Sequence, residues 1–74
     1  MLWSENAKVP TAIYVRAVAG EVITGKEVGI VTDHVRAYCR GLGYAMPPIP
    51  DAKDNATNVR ALISACLAVG LDPL

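Results

Sequence analysis

The C-terminal stretch DAKDNATNVRALISACLAVGLDPL, residues 51–74, decides the fold. Asp51, Asp54 and Asn55 supply helix caps, and the carboxylates suit the positive end of a helix dipole. Val59, Leu62, Ile63, Cys66, Leu67 and Gly70 then recur at spacings of three and four, which is the stripe of an amphipathic helix. Gly70 predicts its end, and Pro73 bars resumption. From Ala61 to Leu71 there is no charged residue. Ala61, Ser64, Ala65 and Ala68 therefore occupy the side opposite the stripe, where a solvated helix normally carries Lys or Glu.

Upstream, Thr24-Gly25-Lys26-Glu27 has the capping-box form. Val28, Val31, Val35, Tyr38 and Leu42 follow as a second apolar stripe, and Gly41 and Gly43 predict its stop. Thr32-Asp33 could equally cap a helix that starts later, because Gly29 interrupts the run. The segment Met46-Pro47-Pro48-Ile49-Pro50 cannot be helical at ordinary cost and reads as a rigid connector. Residues 11–19 form the first element, with Pro10 suited to an opening helical turn and Gly20 to the position past its end. Ile13, Val15, Ala17 and Ala19 also alternate as a strand would, and half of residues 9–32 are β-branched. The expectation is a mainly α, three-helix domain covering residues 1–74, with a β-hairpin over residues 12–24 as the alternative.

Composition bounds the function. The chain has 74 residues, 53% apolar and 19% charged, with seven cations balancing seven anions. Such a chain is too apolar for disorder and supplies no net field for nucleic acid or anionic membranes. The N-terminus lacks the basic start and apolar core of a secretory signal, and no run reaches the roughly 18 apolar residues of a membrane span. A cytoplasmic setting is the expectation. Two cysteines are too few for a disulfide framework.

Catalytic chemistry finds little footing. His34 and Cys39 are separated by about 500° of helical rotation and do not share a face. His34 beside Asp33 supplies too few convergent ligands for a metal. Asp51 and Asp54 read as caps, Gly41-Leu42-Gly43 lacks the rest of a dinucleotide fingerprint, and Thr24-Gly25-Lys26 is not a phosphate loop. No enzyme, cofactor or metal is expected.

Two functional readings follow. A short chain buries only about 60% of its unfolded surface and has little material to wrap a helix that is apolar all round. Surplus apolar surface then predicts a protein-binding module, an adaptor or an inhibitor of a larger machine, and a homo-oligomer is expected. Ala61, Ser64, Ala65 and Ala68 are the expected contact residues, with the aromatics Trp3 and Tyr44 as anchors.

The alternative rests on residues 29–40, GIVTDHVRAYCR. A glycine followed by a capping hydroxyl has the form of a helix-turn-helix, and the segment resembles the recognition-helix region of the MerR family, with Arg36, Tyr38 and Arg40 at its arginine and aromatic positions. The resemblance covers about a dozen residues. It implies a DNA-binding regulator that would read DNA through Thr32, His34, Arg36 and Arg40.

Overall fold

The computed structural model describes residues 6–48 and 51–74. Among these, helix α1 spans Lys8–Val18, α2 spans Gly25–Leu42 and α3 spans Asn55–Ala68, and there is no strand. The architecture is the expected small three-helix domain.

The hairpin over residues 12–24 does not form. Helix α1 buries Pro10, Ile13 and Ala17, at spacings of three and four, whereas alternation would have put Val15 on the same face. Val15 is instead 59% exposed. An isolated two-stranded hairpin has no layer to cover it, while a helix can lay one face on its neighbours, so burial overrides the β-branched composition. Pro10 is the third helical residue, where its missing N–H has no intrahelical partner to lose. The first bond runs from the Thr11 amide to the Ala7 carbonyl, at 2.8 Å.

Helix α2 opens on the expected capping box. The Glu27 amide donates to Thr24 Oγ1 at 3.1 Å, and the Thr24 amide donates to Glu27 Oε1 at 3.1 Å. The later start at Thr32 is not used: the Thr32 hydroxyl donates to the Val28 carbonyl at 2.8 Å, inside a continuous helix. Gly29 and Gly41 are both helical, so no turn breaks α2. Its buried residues are Val31, Val35 and Cys39, flanked by half-buried Val28 and Tyr38; Leu42, expected on the stripe, is largely exposed.

Asp54 caps α3 by accepting from the Thr57 amide at 2.9 Å. This helix packs against both others and buries Ala56, Val59, Leu62, Ile63 and Cys66. Each large aliphatic group so buried contributes about 1.5–3 kcal/mol. At its end Gly70 takes φ +80°, a left-handed conformation that a side chain would strain. The Leu71 amide then reaches the Cys66 carbonyl at 2.9 Å and the Gly70 amide reaches that of Leu67 at 3.0 Å, the paired bonds of a Schellman closure. Gly43 and Gly20 close α2 and α1 with the same pairing. The tail turns back, burying Leu71 and Pro73, and His34 Nε2 donates to the Pro73 carbonyl at 2.6 Å.

Polar side chains fix how the pieces meet. Asn55 Nδ2 donates to the Ile23 carbonyl at 2.9 Å and Arg60 Nη1 to that of Ala17 at 3.1 Å, holding the start of α3 to the end of α1 and its following turn. Asn58 brackets Ala52, accepting from its amide at 2.8 Å and donating to its carbonyl at 3.0 Å. Removing one half of the α2 cap has a defined cost. Thr24→Ala is expected to lower stability by about 1 kcal/mol, read as a reduced denaturation midpoint; an unchanged midpoint would contradict the capping role.

Candidate functional site

The expected contact face of α3 divides along its length. Ala61 and Ala65 are half-buried, so flanking elements of the same chain cover part of the side that the sequence left unassigned. Ser64 and Ala68 are exposed. Leu67 stands beside them at 50% exposure, and Val69 follows at 66%. The C-terminal end of α3 therefore presents an uncharged patch with two large aliphatic groups. Tyr44, just past the closure of α2, is also exposed. Trp3 lies outside the described residues.

A second apolar surface went unrecognised in the sequence. On α1 and the turn after it, Val9, Val15 and Val18 are each more than half exposed, and Val22 is 85% exposed. Ala12 and Ala19 are exposed between them. The signal lies in Ala12, Val15, Val18 and Ala19, which recur at helical spacing, while Val22 follows beyond the end of α1; the same residues also fit the alternation of a hairpin.

Charged groups are concentrated elsewhere. Arg16 pairs with Glu27 and, at 3.5 Å, with Glu21, while its Nη2 donates to the Val22 carbonyl at 3.1 Å. The Thr24 amide and then Arg16 hold the Glu27 carboxyl below the usual carboxylate range. The Thr57 hydroxyl and amide do the same for Asp54. These groups brace the α1–α2 corner and cap a helix.

Of the four residues of the DNA reading, Thr32, Arg36 and Arg40 lie four apart along one side of α2, whereas His34 turns to the tail. Thr32 and His34 are half-buried, the first bonded to its own helix and the second to the tail. Arg36 and Arg40 are exposed on α2 four residues apart, and Arg36 pairs with Asp33 at 2.9 Å. The turn expected at Gly29 is absent.

Among the described residues there is no enclosed cavity, no group of three or more His, Cys, Asp or Glu side chains that could hold a metal ion, and no helix long and apolar enough to cross a membrane. No family model matches the chain, and no curated protein or solved structure matches it significantly.

Cys39 and Cys66 are both free and lie in the core between α2 and α3. Burial, with a smaller contribution from Cys39, pushes the Cys66 thiol above its ordinary value. A protonated thiol out of reach of solvent is a poor nucleophile. Neither cysteine is expected to react with an aromatic disulfide reagent in the native protein, and both should react on denaturation. Stoichiometric labelling at a rate faster than unfolding would contradict that burial.

Proposed function

We propose that the chain is a non-catalytic protein-binding module, an adaptor or an inhibitor of a larger protein assembly. Its contact face is the uncharged C-terminal end of α3, made by Ser64, Leu67, Ala68 and the adjoining Val69. The observation that carries this reading is the exposure of Leu67 and Val69 within a stretch that has no charge from Ala61 to Leu71. Contiguous exposed apolar surface is uncommon on small soluble proteins that act alone, and it is stabilised by contact with another protein. Tyr44, exposed and amphipathic, supplies a second anchor of the type found at interfaces.

The chemistry-bearing side chains support the same reading, because each is occupied in holding the fold. The two thiols are core residues, His34 secures the tail, and the carboxylates of Glu27 and Asp54 serve as caps. A cytoplasmic setting suits two buried free thiols. Partners are proteins, either a larger one or the chain itself.

Leu67→Glu combined with Ala68→Glu tests the face. Both residues are exposed, so the doubly substituted chain should still fold with its helicity kept, at a cost of about 1–2 kcal/mol for two carboxylates in the last turn of α3. It should lose a partner that the unsubstituted chain retains from extracts of its host by tenfold or more, the order expected when charge is driven into an apolar contact. Equal retention by the folded variant would refute this placement. Retardation of random duplex DNA at low salt, abolished by Arg36→Ala with Arg40→Ala, would favour the DNA-binding alternative instead.

A further inference from the structure

Cys39 and Cys66 are the two thiols of the chain, and among the described residues no polar or charged side chain is buried beside them. Their placement is matched. Each stands four residues before the left-handed glycine that closes its helix, Gly43 for α2 and Gly70 for α3. Each offers its carbonyl to the far amide of that closure, from Tyr44 and from Leu71, at 2.9 Å in both cases.

The topology brings the two positions together. The bond from Asn55 to the Ile23 carbonyl sets the starts of α3 and α2 at one end of the molecule, and the two helices pack on each other along the same direction. Helix α2 has 18 residues and α3 has 14, so their last turns lie level to within about 6 Å at the helical rise per residue. Cys39 and Cys66 occupy those turns on the faces that meet. Cys39 continues the row of Val31 and Val35, Cys66 continues that of Val59 and Leu62, and all six belong to one buried cluster. The contribution of Cys39 to the raised Cys66 thiol is that of a near neighbour.

We infer that Cys39 and Cys66 are a redox-responsive pair, which a hydroperoxide converts into a disulfide joining α2 to α3 within the folded chain. One thiolate attacks the peroxide: an S–O bond forms, the O–O bond breaks and water leaves. The second thiol then attacks that sulfur, an S–S bond forms and a second water departs. Two thiols and one peroxide thus give one disulfide and two waters. The surroundings choose this product. A sulfenic or sulfinic group would stand unsatisfied in an interior without polar side chains, whereas a disulfide needs no partner. Hydrogen peroxide is small enough to enter when the last turns of the two helices open locally, and an aromatic disulfide reagent is not. The inference concerns interior groups and is independent of the contact face on α3.

Treatment of the native chain with hydrogen peroxide, then denaturation, alkylation with iodoacetamide and peptide mass mapping, provides the test. Mapping keeps oxidation of Met1 and Met46 apart from the cysteine product. The expected product is monomeric, joins the peptides that carry Cys39 and Cys66, resists alkylation and regains both thiols with a reductant. Its unfolding equilibrium constant should be lower by about a hundredfold or more, because the bridge closes a loop from residue 39 to residue 66. Cys39→Ala and Cys66→Ala should each lack both the bridge and the gain; if one fails to fold, the other serves. Peroxide treatment that leaves both thiols open to alkylation would overturn the inference, as would sulfinic acid or an intermolecular disulfide as the main product. A bridge that forms only in denaturant, or that lowers stability, would overturn it too, since the two positions would then not meet in the native fold.

Discussion

Burial of the Val59, Leu62, Ile63 and Cys66 face of α3 between α1 and α2 is the interaction on which the remaining structure depends. Fourteen residues make a marginal helix in water, so α3 persists because its neighbours keep that face dry. The converse holds as well. Val31, Val35 and Cys39 of α2, and Ile13 and Ala17 of α1, have α3 as their shared packing partner in one continuous cluster. Among the described residues no fully buried one is aromatic, and the interior is assembled from β-branched, leucine, alanine, proline and cysteine side chains whose fit is sensitive to the loss of any one.

A core this small leaves the chain with more apolar residues than it can enclose. Polar residues are spent at junctions: Arg16, Glu21 and Glu27 at the first corner, Asn55 and Arg60 where α3 meets the end of α1, and His34 where α2 meets the tail. With those groups committed, the outward sides of α1 and of the C-terminal end of α3 are left to alanine, serine, leucine and valine. Helix α2 has the opposite character, with Asp33, Arg36 and Arg40 exposed along it. The molecule is thus polarised between one charged helix and two apolar ones. The proposed contact role rests on that division.

The third helix was legible because its caps, period and stop agree, and so was the start of α2 at Thr24. Ambiguity entered where two periods fit the same residues. Ile13 and Ala17 satisfy both alternation and helical spacing, and only the presence of α3 to receive them selects the helix. Gly29 looked like a turn, yet a glycine inside an otherwise well-capped helix costs only about 1 kcal/mol and is absorbed by the packing of Val31 and Val35. Part of the α3 face was overestimated, since half-burial of Ala61 and Ala65 depends on tertiary neighbours that no local pattern reveals. The tail bond from His34 to Pro73 joins residues 39 apart in sequence and has no local signature.

Native-state hydrogen exchange resolved by residue tests the dependence of the fold on α3 most directly. Amides in the middle of α3, around Ile63 and Cys66, should exchange only through global unfolding and be the slowest in the molecule, with the outer turns of α1 faster. Slower exchange in α1 or α2 than in α3, or loss of α3 protection while the other two helices remain protected, would contradict the account.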